Sequence, residues 1–190
     1  MKQALPLLLL SALLGAGAAC AAPQTYAVDS RHTYPRFEIS HFGFSMHSGI
    51  FTQSSGTIVL DTAEKTGQVD IAVQTASIDT GAEDLEKVLR SPAFFDAGKY
   101  PQMRFQSQAF QFDGDKLATV QGQLTLLGVT QPLVLTVVRF HCGAHPVSKK
   151  EECGANLAGT IKRSDFGMKT FLPGVGDEVR LIVQVEAIKE

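Results

Sequence analysis

The sequence predicts an all-β domain, closed as a barrel or stacked as a sandwich, with one or two short helices. From Thr25 onward, short runs of alternating apolar and polar residues are separated by turn signals at hairpin spacing. Val69, Ile71 and Val73, for example, alternate with Asp70, Ala72 and Gln74, the period of a half-buried antiparallel strand. Other strands carry apolar groups on what reads as both faces, with Val120, Leu124 and Leu126 set against Leu117 and Leu127. A barrel with an apolar interior and a partly covered exterior accounts for this, and two packed sheets account for most of it. The pattern leans towards a barrel of about eight strands, a size that can enclose one small ligand.

In chain order, strands are expected over residues 25–28, 33–42, 49–61 and 68–77. Gly56 marks a bulge or bend in the third. A second set covers residues 102–112, 116–127, 133–141, 155–163 and 177–188. Asp113-Gly114-Asp115 reads as a hairpin turn, and residues 164–176 as a longer connection. No composition break suggests a second domain.

Residues 77–105 interrupt the strands with a helical pattern. Thr80 and Glu83 fit a capping box, and Leu85, Val88 and Leu89 form a narrow apolar face. Ser91-Pro92 stops the helix, because proline disfavours helical geometry in the residue before it. Phe94 and Phe95 follow, beside Arg90 and Asp96. Two readings stand: a lid or plug at a barrel end, or a crossover packed outside the sheet.

The N-terminus resembles an export signal: Lys2, a leucine-rich stretch, then small residues ending Ala19-Cys20-Ala21. Residues 1–21 are therefore expected to be a signal peptide and residues 22–190 a single domain. Lipid attachment at Cys20 is less favoured, because Gly17 stands where an aliphatic residue is usual. Periplasmic localisation follows, with no expected membrane span. The charge of −2 without a basic stripe argues against nucleic acid as a partner. Two cysteines remain after cleavage, Cys142 and Cys153, and an even count in an oxidising compartment favours a disulfide. Zinc held with His141 and His145 is the less favoured alternative, since the spacing matches no standard site.

Catalytic signatures are missing: no nucleophile elbow, metal-binding helix motif or phosphate loop occurs. His41 alternates with Phe37 and Ile39 and suits either a base, a head-group contact or a core histidine. Arg163 and Asp165 suit either an anion clamp or a salt bridge. The chain has 12 Phe and no Trp, and phenyl groups without polar handles suit an apolar lining.

Several ordered stretches closely resemble YceI-like proteins. They are residues 26–33, 37–44 and 54–61, then Ser77-Ile78-Asp79-Thr80, Leu89-Arg90-Ser91-Pro92, Phe94-Phe95-Asp96 and Lys99-Tyr100-Pro101. Residues 122–130 and 163–168 continue the match. The resemblance implies a lipocalin-like antiparallel β-barrel that carries a polyisoprenoid, a quinone-like lipid or another long-chain amphiphile, with no cofactor and no catalysis. Carried onto this chain, it makes His41, Phe42, Phe44, Leu89, Phe94, Phe95 and Phe105 ligand contacts. Phe166 and Met168 join them more weakly. It leaves open a homodimer and docking to a membrane redox protein. The rival class is an isomerase or hydrolase using His41 and a carboxylate such as Asp165. The chain departs from the family pattern at Thr33-Tyr34-Pro35-Arg36, which puts ligand size in question.

Overall fold

The computed structural model describes residues 22–190; the expected signal peptide and Cys20 lie outside them. Eleven strands and one α-helix follow in chain order: β1 (Gln24–Val28), β2 (Tyr34–His41), β3 (Ser45–Phe51), β4 (Ser54–Asp61), β5 (Thr66–Gln74), β6 (Ile78–Asp79), α1 (Glu83–Arg90), β7 (Gln102–Asp113), β8 (Lys116–Leu126), β9 (Val129–Ala144), β10 (Glu151–Lys162) and β11 (Val175–Lys189). All neighbours pair antiparallel. The order β1-β4-β5-β7-β8-β9-β10-β11 closes on itself through β1 and β11, so eight strands form a barrel. The closed barrel, rather than the sandwich, is the architecture.

The three remaining strands are continuations of barrel strands past a break. β2 follows β1 along the same partner, with Val28 opposite Ala187 and Tyr34 opposite Gln184. β3 pairs with β2 while β4 pairs with β1. β6 pairs with β3 after a single 3-10 turn, Thr75–Ser77, that ends β5. The expected single strand over residues 49–61 is thus two strands, parted at Thr52 and Gln53. Gly56 makes no bulge in β4, since its neighbours stay in register from Ser54 to Asp61. Its φ of +145° and the approach of the Asp70 carbonyl oxygen to the place of a Cβ leave room only for glycine.

The apparent two-faced pattern of β8 has a different origin from the one expected. Gln111 pairs with Thr119 but Phe112 pairs with Leu117, so Ala118 is an extra residue. This bulge reverses the alternation, and Leu117, Val120, Leu124 and Leu126 all turn inward and are buried. Leu127 has left the strand, at φ +53° in the following turn. β9 repeats the device. Asn156 pairs with Arg139 and Leu157 with Val137, leaving Val138 unpaired and exposed, while Phe140 joins the inward set.

The two barrel ends differ. At the end holding the β9–β10 hairpin, Tyr26, Leu60, Cys153 and Ala187 form a buried cluster. Cys142 and Cys153 face each other across the hairpin and form a disulfide, with Cα atoms 4.1 Å apart. The zinc alternative ends here, because both sulfurs are spent. The Tyr26 hydroxyl donates to Glu151 at 2.5 Å; burial and this hydrogen bond push its pKa up to about 12.

The break between β1 and β2 is held by Asp29. Its carboxylate, 7% exposed, accepts from the Arg31 backbone N–H and guanidinium and lies 3.0 Å from the His32 ring nitrogen. The Arg31 hydrogen bonds hold the Asp29 carboxyl well below the usual carboxylate range. A depressed folded-state pKa means the stabilisation is present above the unfolded value near 4 and lost as pH falls through the folded value. Melting temperature should therefore fall on acidification below about pH 4, and Asp29→Asn should flatten that part of the profile. An unchanged slope in the variant would assign the acid sensitivity elsewhere.

Candidate functional site

The barrel interior is a cavity of about 370 Å3 with an almost wholly apolar wall. Strands β4, β5, β8, β9, β10 and β11 supply inward aliphatic side chains, among them Ile71, Val120, Leu135, Leu157 and Val183, and β7 adds Met103, Phe105 and Phe110. Such a volume lies in the range of small-ligand sites. The aliphatic set on β8, β9 and β11, which was not among the expected ligand contacts, makes up much of the wall. Its signal was the period-two pattern, blurred on β8 and β9 by the bulges.

The opposite end from the disulfide carries the mouth. There the helical stretch closes over the interior: Leu85, Val88, Leu89, Phe94 and Phe95 all face the cavity. It is a cover on the barrel end, not a crossover packed outside the sheet. The Phe95 ring meets Phe51 edge-on at 5.4 Å between centroids. The helix begins differently from the expected capping box. Ala82 occupies the N-cap without a side-chain hydrogen bond, and Glu86, not Glu83, reaches back to accept from the Thr80 backbone N–H at 2.9 Å. That bond, followed by Arg90, holds the Glu86 carboxyl below its ordinary range. Arg90 in turn donates to the carbonyls of Ala76 and Ile78, both at 2.9 Å, which ties the cover to the β5–β6 break.

Two further segments complete the mouth. The end of β2 carries His41, the β2–β3 turn carries Phe42 and Phe44, and the loop before β11 carries Met168 and Phe171. The Phe42 N–H donates to the Gly174 carbonyl at 2.7 Å, and the Phe42 ring lies over Gly174 where a Cβ would stand 2.5 Å away. Arg163, 2% exposed, fixes this loop from beneath. It donates to the carbonyls of Gly176 at 2.7 Å, Met168 at 3.1 Å and Val175 at 2.9 Å.

Of the residues expected to touch a ligand, His41, Phe42, Leu89, Phe94, Phe95, Phe105 and Met168 line the cavity. Two do not. Phe44 is 91% exposed at the tip of its turn, and Phe166 is buried in the surrounding core, outside the wall. Sequence alternation places a residue on a face but cannot say whether that face ends at the lumen. The expected Arg163–Asp165 pair is also absent. Asp165 is exposed, and the carboxylate near Arg163 is Asp177, which accepts from the Ser164 N–H at 2.9 Å and hydroxyl at 2.7 Å. His41 stacks on His47 at 4.0 Å and meets Phe42 edge-on at 4.8 Å; Asp165 is not part of the cavity wall with it. Among the described residues, no cluster of His, Cys, Asp and Glu is arranged to hold a metal ion, and no helix is long and apolar enough to cross a membrane.

Comparison with known proteins places this geometry. Protein YceI of Escherichia coli O157:H7 is 35% identical over 190 residues, covering 100% of this chain and 98% of that protein. The crystal structure of BcnA from Burkholderia cenocepacia is similar with a TM-score of 0.70 at 25% identity, covering 84% of this chain and 99% of that one. A polyisoprenoid binding domain from Saccharophagus degradans, implicated in plant cell wall breakdown, shares the fold with a TM-score of 0.64 at 17% identity, covering 88% and 99%. Residues 26–187 match the family model described as YceI-like domain. The chain belongs to the YceI-like family.

Proposed function

We propose that this protein is a non-catalytic periplasmic carrier that holds a polyisoprenoid, a quinone-like lipid or a similar long amphiphile in its barrel. The observation that carries the reading is the cavity: about 370 Å3, walled by aliphatic and phenyl groups and covered at its mouth by α1 and Phe94-Phe95. Taking an apolar tail out of water into such a space gains roughly 25 cal/mol per Å2 removed. Few polar side chains interrupt the wall, so the lumen suits a tail better than a polar substrate. His41, Phe42, Leu89, Phe94, Phe95, Phe105 and Met168 are the contacts proposed, with the polar end of the ligand near His41 and His47 at the mouth. The cover acts as a gate, hinged on the Arg90 ties. The fold shared with a domain described as polyisoprenoid binding supports the same class of cargo.

His41, stacked on His47 and edge-on to the Phe42 ring, sits in a setting that suits a head-group contact. The disulfide fits an oxidising compartment. The test is direct. Protein purified gently from its own periplasm should release a lipid on mass spectrometry, and delipidated protein should take up a labelled isoprenoid saturably, one per chain. No released lipid together with no uptake would end the carrier reading.

A further inference from the structure

Most large exposed apolar side chains of the described residues fall into two groups. One lies on the outer face of β9. The other rings the mouth: Phe44 is 91% exposed, Met46 and Phe171 are each 61%, and Phe42 is 52%. Val88 of α1 belongs to the same rim, exposed on one side and facing the cavity on the other. Leaving several phenyl groups in water is unfavourable, and a patch of this kind marks a surface that something covers.

Three separate segments hold these groups together. The Phe42 N–H binds the Gly174 carbonyl; Thr170 Oγ1 donates to the Ala93 carbonyl at 2.8 Å; the Phe94 and Phe171 rings lie 6.2 Å apart. Phe42 and Phe171 also sit in the left-handed backbone region, at φ +51° and +61°. A bulky side chain is disfavoured there, so both rings are presented by backbone that the surroundings enforce.

Charge identifies the occupant. Residues 39–50 contain no charged side chain apart from the titratable His41 and His47, and residues 166–176 contain only Lys169. On α1, Glu83 and Asp84 share the single Lys87, at 3.1 and 3.3 Å, and Glu86 pairs with Arg90 at 3.0 Å. The two loops that bear the exposed phenyl groups thus form an apolar edge with no carboxylate and one exposed lysine, Lys169, which fits a phospholipid surface. It would not be repelled there, and its phenyl groups can enter the boundary between head groups and acyl chains.

We propose that the mouth rim docks the barrel, cover downward, on a phospholipid bilayer, with Phe42, Phe44 and Phe171 as the inserting groups. The lumen then opens onto the membrane, and a water-insoluble tail can pass between them without crossing solvent. The purpose assigned to docking rests on the carrier reading, but docking itself is measurable without cargo.

Phe44 and Met46 lie outside the cavity wall, so the double variant Phe44→Ser, Met46→Ser leaves the lumen intact. Delipidated wild type should co-sediment with vesicles of phosphatidylethanolamine and phosphatidylglycerol. The variant's partitioning should fall about tenfold or more, as loss of one phenyl and one thioether from an apolar medium requires. Salt should matter little, because one lysine contributes most of the attraction by charge. Both proteins should take up isoprenoid equally from detergent micelles. A β9 control, Val134→Ser with Val138→Ser, should bind vesicles as wild type does. The inference is overturned if wild type ignores the vesicles, if the rim variant binds them unchanged, or if the β9 control loses binding equally. It is also overturned if the rim variant only converts a dimer to a monomer. Vesicle binding by wild type without uptake from micelles would keep the docking and remove the carrier reading.

Discussion

Replacing Arg163 with Met is expected to lower the melting temperature by roughly 6–12 °C and to weaken retention of any ligand in the barrel. Two effects oppose each other at this residue. Burial disfavours the guanidinium and pulls its pKa below the ordinary value, an effect that Asp177 only partly offsets, so its removal recovers some desolvation cost. Against that, three carbonyls on the loop, those of Met168, Val175 and Gly176, lose their donor. Each buried orphan costs about 1–3 kcal/mol, which puts the net loss near 3 kcal/mol. The loop bearing Met168 and Phe171 is one side of the mouth, so its loosening should raise ligand off-rate more than global instability alone explains. Arg163→Lys separates the two contributions. Lysine keeps the charge but lacks the planar fork that reaches three acceptors, so it should restore little. Thermal melts with ligand release rates check this; a variant as stable as wild type would show that the loop is held by other contacts.

Reducing the Cys142–Cys153 disulfide, or replacing both residues with Ala, is expected to cost about 2–3 kcal/mol. The bridge closes a sequence separation of 11 residues, and most of the effect comes from the freedom it denies the unfolded chain. A shift of roughly 4–12 °C follows for a domain of this size. Ligand uptake should change little at temperatures where the protein is folded, because the bridge lies at the end opposite the mouth, where Cys153 lines only the far end of the cavity. Calorimetry with and without reductant, paired with an uptake assay, tests both halves. A loss of uptake in the folded reduced protein would mean that the two ends are coupled.

Much of the fold was legible in the sequence because antiparallel strands advertise themselves locally. Val179, Leu181, Val183 and Val185 alternate, Asp113-Gly114-Asp115 turns, and Ser91-Pro92 stops a helix, each within a few residues of chain. The breaks were less legible. Nothing local distinguishes a strand that continues along one neighbour from a strand that hands over to the next, so residues 49–61 read as one element where the structure has β3 and β4. The bulges at Ala118 and Val138 misled in a different way. They reverse the alternation, and reversed alternation looks like a strand that is apolar on both faces. The barrel expected from that pattern is present, but β8 is apolar on its inward face only, for a reason that depends on its pairing with β7.

The candidate site divides along the same line. Phenyl groups gathered at residues 42–51 and 94–105 suggest an apolar lining, and His41 alternates onto the inward face of β2; local pattern reaches that far. It cannot separate Phe42, whose ring closes on Gly174 at the mouth, from Phe44, two residues on and almost wholly exposed. Nor can it pair Arg163 with three carbonyls across the loop instead of with neighbouring Asp165.

The stretch from Ser77 to Phe105 is the clearest case. By itself the sequence determined that a short helix stands there, that it stops at Ser91, and that aromatic groups follow, because propensity and backbone sterics act over a few residues. Whether that helix packs outside the barrel or across its end was decided only in the tertiary structure. The Arg90 side chain reaches Ala76 and Ile78, and Leu89 and Phe95 find an apolar interior that exists only once eight strands have closed.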